Sequence, residues 1–300
     1  MNELRLVPVL TGGGTRLPVH VGVLAALQEL GARYRRLVGV SGGSIVAALH
    51  AAGWTPARML ELAYEINFAQ FRGRSLIELV LRGGLSSGNV FERWLDGVLE
   101  GRCFQDLDLD LAVVATDVRA SRPVVFERAT NPTLKVARAV RFSMGIPLLF
   151  SFQPWEGALL VDGSILSEDA LHRDWATDST PVCVFRLRSE QGGPVPPMHG
   201  WVPLVGYTHM LIRTFMTTIS REFVDAKHWP RTVVIDSGPL SPLEFRLDRE
   251  QKSDLYRRGY QTTRTILPVK FKLANADPAV NTAAVSAPSR KTNQSIELVR

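Results

Sequence analysis

The chain opens on a short apolar run, Leu6-Val7-Pro8-Val9-Leu10. Its length predicts a buried strand, with Pro8 at the strand start or near a sheet edge. Thr11-Gly12-Gly13-Gly14-Thr15-Arg16 follows and is too rich in glycine for any regular element. Pro18 suits the first turn of a helix. Val19, Gly22, Val23, Ala26, Leu27 and Leu30 then recur at helical spacing, and Gly31 supplies the residue that ends it. A second apolar run, Leu37 to Val40, ends in Ser41-Gly42-Gly43. Helical spacing resumes at Ile45, Ala48, Leu49 and Ala52 and closes at Gly53. Thr55-Pro56 reads as an N-cap with proline at the first helical position, which predicts a helix to about Gln70.

Later apolar runs predict further strands at 111–116, 123–126, 158–161, 182–185 and 232–235, the second of them antiparallel or at an edge. Residues 204–227 and 248–267 have helical periodicity, and no internal repeat is present. Strand, glycine loop, helix, strand, sharp turn, helix is a βαβα beginning. The fold class it predicts is α/β, a mainly parallel central sheet flanked by helices on both faces. Residues 1–267 form one domain on this reading. From Pro268 the chain is rich in Ala, Asn, Ser, Thr and Pro, so residues 268–300 are expected to be a disordered basic tail.

Composition narrows the function classes. The 300 residues are 45% hydrophobic and 21% charged, with a net charge of +6. Lys270, Lys272, Arg290, Lys291 and Arg300 stand against Asp277 and Glu297, so the tail holds +3 of that total. The body is too evenly charged for a basic nucleic-acid-binding domain, and no nucleic-acid partner is expected. Cys103 and Cys183 belong to no CxxC pair and suit a reducing compartment. The amino terminus lacks the cationic and apolar regions of a signal peptide. The nearly uncharged stretch Leu37–Gly53 falls short of a spanning helix. The expected location is cytoplasmic.

Gly39-Val40-Ser41-Gly42-Gly43 satisfies the G-x-S-x-G nucleophile elbow, placed between a predicted strand and a predicted helix. That chemistry needs a serine on a strained turn, with Gly39 and Gly43 relieving steric conflict around it. Gly12, Gly13 and Gly14 lie in the corresponding loop of the preceding unit. Glycines there let backbone N–H groups, with that of Gly42, converge on a developing oxyanion. Arg16 would support this loop. A Walker loop lacks its Gly-Lys-Ser/Thr ending here, and a dinucleotide fingerprint would need glycine at Leu17. No histidine lies in a zinc motif. A Ser41–Asp162–His199, His209 or His228 triad is formally possible in chain order. Asp162 ends a predicted strand and is followed by Gly163-Ser164, which places its carboxylate at a strand end, either as a general base or as a plain turn former.

Together these residues resemble the patatin-like phospholipase family. Gly12-Gly13-Gly14-Thr15-Arg16 is similar to its glycine-rich loop, Gly39 to Gly43 to its elbow, and Asp162-Gly163-Ser164 to its Asp-Gly motif. The likeness continues through Ala115-Thr116-Asp117, the loop Ser143 to Phe150, Asp236-Ser237-Gly238 and Ser241 to Phe245, covering about residues 4–267. Membership implies a patatin-like acyl hydrolase fold and a Ser–Asp dyad, with Ser41 as nucleophile and Asp162 as general base. It further implies an oxyanion hole from Gly12, Gly13, Gly14 and Gly42, an acyl-enzyme intermediate, and no metal or cofactor. The substrate implied is a phospholipid or other acyl-ester lipid. Leu17-Pro18 after the arginine, Gly145 in place of a common second serine, and Ser164 beside the aspartate depart from the family pattern. None removes a group the dyad requires.

Two other readings stand beside lipid acyl hydrolysis: a non-catalytic membrane-binding or regulatory scaffold, and acyl transfer to an alcohol through the same dyad. Leu17, Trp54, Phe68, Phe71, Trp155 and the 201–219 region are candidates for an acyl cleft, against the ordinary alternative of core packing. Residues 201–223 read as a buried amphipathic helix or an interfacial element. The basic tail suggests a transient, salt-sensitive contact with anionic membrane.

Overall fold

The computed structural model describes residues 4–71, 73, 75–166, 170–176, 178–188, 207, 210–212, 214 and 227–276. The order is β1 (Val7–Leu10), α1 (Pro18–Glu29), β2 (Arg36–Val40), α2 (Gly42–Ala51), α3 (Pro56–Glu65), α4 (Leu76–Arg82), β3 (Gly84–Ser86), α5 (Asn89–Val98), β4 (Asp110–Asp117), β5 (Arg122–Glu127), α6 (Val136–Ser143), β6 (Leu148–Phe150), β7 (Gln153–Trp155), β8 (Ala158–Val161), β9 (Val182–Arg188), β10 (Thr232–Asp236) and α7 (Arg249–Ala276). The main sheet runs β10-β9-β1-β2-β4-β8-β7, with β5 also on β4. β10, β9, β1, β2 and β4 are parallel. β5 and β8 are antiparallel to β4, and β7 to β8. This is the α/β architecture with a mainly parallel central sheet and flanking helices.

The strands are continuous apolar runs because both faces of the sheet are covered. On one face Leu6, Leu10, Leu37, Leu111, Val113, Phe185 and Val233 share a core with residues of α1, α2, α6 and α7. On the other, Val7, Val9, Val38, Val40, Ala112, Val114 and Val184 pack against Ala170, Leu171 and Trp175. β1 is a central strand, yet it tolerates Pro8 because its ladder with β2 begins only at Val9. Of the helix predicted at 204–227, only Tyr207, Met210, Leu211, Ile212, Thr214 and Lys227 lie within the described residues; the first five are helical and Lys227 is in a turn.

Two boundaries differ from the sequence reading. The helix opened by Thr55, whose hydroxyl accepts the Arg58 N–H, stops at Glu65 rather than near Gln70. Ile66 is extended, and Asn67 Oδ1 takes the Ala69 N–H to start a separate 3-10 turn at Phe68–Phe71. At the other end, the break expected at Pro268 does not occur: α7 runs through it to Ala276. Tertiary contacts override the proline. Leu267 is fully buried, Phe271 packs on the main core, and Lys270 Nζ donates to the carbonyls of Trp229 (2.7 Å) and Thr232 (2.5 Å). Residues 268–271 therefore belong to the folded body, the helix continues to Ala276, and 277–300 lies outside the described residues. Among the described residues no helix is long and apolar enough to cross a membrane.

Candidate active site

β2 and β8 share one edge of β4. β2 occupies that edge as far as Val40 opposite Val114, and β8 comes back from the opposite direction to Val161 opposite Thr116. The residues that follow the two strands, Ser41 and Asp162, therefore converge tip to tip beside Ala115. Ser41 Oγ donates to Asp162 Oδ2 at 2.6 Å. Asp162 thus lies at a strand end, as expected, but the strand is an antiparallel member of the mainly parallel sheet.

Ser41 holds φ +50° and ψ −130°, a conformation an L-residue adopts only when its surroundings impose it. Three contacts do so. Its N–H donates to Ser143 Oγ at 2.8 Å, Ser143 Oγ donates to the Val114 carbonyl at 2.5 Å, and Ser44 Oγ donates to the Ser41 carbonyl at 2.5 Å. The flanking glycines are steric necessities. A Cβ on Gly39 would lie 2.5 Å from Ser44 Cα, and one on Gly43 would lie 2.3 Å from the Leu10 carbonyl oxygen.

The glycine loop packs directly on this turn. A Cβ on Gly12 would fall 2.3 Å from Ser164 Oγ and 3.2 Å from Ser41 Cβ, and one on Gly42 would fall 2.6 Å from the Gly14 carbonyl oxygen. Gly14 has φ +59° and closes on the Pro242 carbonyl. Gly13 lies against Leu187, and its carbonyl accepts from Arg16 N (3.2 Å) and Nε (3.0 Å). Arg16 is fully buried, donates from Nη1 to Ser237 Oγ at 2.7 Å, and is lowered by desolvation to a pKa of about 10. It keeps its charge and fixes the loop from below. Among the described residues, the N–H groups of Gly12, Gly13, Gly14 and Gly42 donate to no protein acceptor.

Asp162 is fully buried. Desolvation pushes its carboxyl up to about 6, against the opposing pull of the Ser41 hydroxyl and the Ser164 N–H, which donates to Oδ1 at 2.8 Å. Its own N–H donates to the Gly145 carbonyl at 3.0 Å. Asp117 pins the start of β8, its Oδ1 accepting from Leu159 N at 3.1 Å and Arg119 N at 3.0 Å. No described histidine hydrogen-bonds Ser41 or Asp162. His228 stacks on His172, and His199 and His209 lie outside the described residues. His20 is buried, held neutral by a pKa lowered to about 4 through desolvation, and donates from Nε2 to the Thr11 carbonyl at 2.8 Å, bracing the glycine loop.

Ser41, Gly14 and Gly42 open into a narrow cavity whose other walls include Phe68, Phe71, Met144, Leu149, Phe150 and Phe245. A second narrow cavity adjoins it, sharing Thr15, Ile45, Phe68 and Phe245 and continuing between Leu17, Met59 and Trp94. Of the aromatic and apolar candidates, Leu17, Phe68 and Phe71 line these cavities. Trp54 lies beneath Arg58, and Trp155 packs on Phe126 and Phe142. Ser143 is the site residue that sequence reasoning gave no role. Its position in the Ser143-to-Phe150 loop was the available signal.

A patatin-like phospholipase family model matches residues 9–172. The Bacillus subtilis uncharacterized protein YqhO is 25% identical over 286 residues, covering 86% of this chain and 97% of its own length. The Mycobacterium tuberculosis uncharacterized NTE family protein Rv1063c is 31% identical over 195 residues, covering 63% of this chain and 51% of its own. The crystal structure of VipD from Legionella pneumophila superposes with a TM-score of 0.63 at 14% identity, over 88% of this chain and 67% of that one. Fold and family model together define the class, an α/β lipid hydrolase. Within it, the chain belongs to the patatin-like phospholipase family.

Proposed function

We propose that this protein is a serine lipid acyl hydrolase that works through a Ser41–Asp162 dyad. The observation that carries the proposal is the 2.6 Å bond from Ser41 Oγ to a fully buried carboxylate at the mouth of an apolar cavity. Ser41 Oγ attacks the acyl carbonyl carbon as its proton passes to Asp162 Oδ2. The carbonyl oxygen becomes an oxyanion, held by the N–H groups of the Gly12–Gly14 loop and Gly42. Collapse breaks the ester C–O bond, and the leaving alkoxide, a lyso-lipid or alcohol, takes the proton from Asp162. Water then gives a proton to Asp162 and attacks the acyl-enzyme. Release of the fatty acid returns that proton to Ser41. A carboxyl near 6 is ionised at neutral pH and basic enough to accept the serine proton as the new bond forms.

Fluorophosphonate labelling of Ser41, together with ester turnover by Ser41→Ala and Asp162→Asn, tests the reading. Loss of label in Ser41→Ala and loss of turnover in both variants, with folding intact, is the expected result. Turnover retained by Ser41→Ala would overturn it.

A further inference from the structure

The three most exposed large apolar side chains among the described residues all belong to α4: Ile77 at 72%, Val80 at 77% and Leu81 at 71%. Their i, i+3, i+4 spacing puts them on one face. The helix is well terminated, with Ser75 Oγ accepting the Glu78 N–H at 3.1 Å and Gly83 in the left-handed conformation, so this face is a built feature. Phe152, itself 37% exposed, extends it: its N–H donates to the Arg82 carbonyl at 3.3 Å.

Two further observations say what covers this face. Charge is the first. Arg72 and Arg74 precede the helix in sequence and Arg82 closes it, against the single acid Glu78, which already pairs with Arg82 at 3.5 Å. Position is the second. α4 packs on β3, β3 pairs with β6, and Leu149 and Phe150 of β6 line the cavity that holds Ser41. The apolar face therefore stands one layer outside the cavity, on its rim. Three side chains and a neighbouring phenylalanine fall far short of the roughly 20–30 residues a side of a stable protein interface. Shallow insertion into a lipid surface needs only a small apolar face with cationic flanks.

We infer that α4 is an interfacial anchor. Ile77, Val80 and Leu81 enter the boundary between headgroups and acyl chains of an anionic lipid surface, and the cationic residues that flank the helix in sequence favour that surface over a neutral one. The anchor deepens the proposed hydrolase, resting on that reading for its purpose, because it holds the Ser41 cavity at the surface from which a lipid would enter.

The test uses the full chain carrying Ser41→Ala, so that binding is read without turnover. Cosedimentation is measured with vesicles of phosphatidylcholine containing about one quarter phosphatidylserine, and with phosphatidylcholine alone. Combined Ile77→Ser, Val80→Ser and Leu81→Ser should weaken binding to the anionic vesicles by about tenfold or more. Val80→Trp should strengthen it, and added salt should weaken it in every chain. In the Ser41 background the triple variant should keep its turnover of a soluble short-chain ester, which also reports that it folds. Unchanged vesicle binding by the triple variant, or no vesicle binding by the parent, overturns the anchor. So does a concentration-dependent dimer that the triple variant dissolves while vesicle binding persists, since the face would then join two copies of the chain. Absence of ester turnover with intact, α4-dependent vesicle binding would overturn the hydrolase reading alone.

Discussion

In the proposed dyad the burial of Asp162 serves the chemistry, and it acts against stability at neutral pH. Its folded carboxyl titrates near 6, above the value of about 3.9 expected in the unfolded chain. The folded state therefore binds the proton more tightly. The stability this contributes is present below about pH 4 and is lost as pH rises through 6. His20 has the opposite sign: lowered to about 4, it contributes stability above about pH 6.5 that is lost as pH falls through 4. Between pH 4 and 6 the two offset each other. Asp162→Asn should thus abolish turnover yet stabilise the fold at pH 8, by something on the order of 2–3 kcal/mol. Its melting temperature should fall more steeply than that of the parent on acidification, since His20 then acts alone. Thermal unfolding at pH 8, 6 and 4.5 checks both. For the parent, kcat/KM on a soluble ester should rise through a single ionisation near pH 6. A profile flat from pH 5 to 8 would remove Asp162 as the base.

At the scale of elements, the elbow depends on α6 as much as on β2 and α2. Ser143, the last residue of α6, accepts the N–H of a residue held at φ +50°. Ser143→Ala would leave that buried N–H without an acceptor, at a cost of about 1–3 kcal/mol. It should also let the turn relax, lowering kcat by up to about 100-fold with little change in KM. Equal kcat in the two proteins would show that Ser143 only packs. This dependence was not legible in the sequence, whereas the elbow was, and the reason is local against distant cause. Gly39, Gly43 and the strand-to-helix turn are required by atoms within a few residues or in the neighbouring strand of a βα unit. The partnership of Ser143 with Ser41 joins positions 102 residues apart and exists only once β4 lies between them. The small β3–β6 sheet was hidden for the same reason. Its three-residue strands have no readable period and are defined by each other. α4 was missed because its apolar residues face away from any core.

For the whole molecule, the principal revision concerns where the folded body ends. Composition put that limit at Pro268, and local propensity supports such a break. The helix nevertheless continues past it, because Leu267, Lys270 and Phe271 are anchored on β10, the Trp229 turn and the main core. Deletion from residue 268 should consequently lower the melting temperature more than deletion from residue 277. Equal melting temperatures would show that the last turns of α7 add nothing.

The tip-to-tip meeting of β2 and β8 has a consequence for how this family of sites can vary. The spacing of Ser41 and Asp162 is measured off along one strand, β4, which serves both as a common ruler. Apart from β4 itself and the Ser143–Gly145 turn that holds the N–H groups of both residues, the chain between them contributes nothing to that measurement, so the segments outside these can lengthen or shrink with the pair kept intact. A slip of a single residue in either ladder is another matter. It would move one tip by about 3.3 Å along the ruler, more than the full length of the bond it carries.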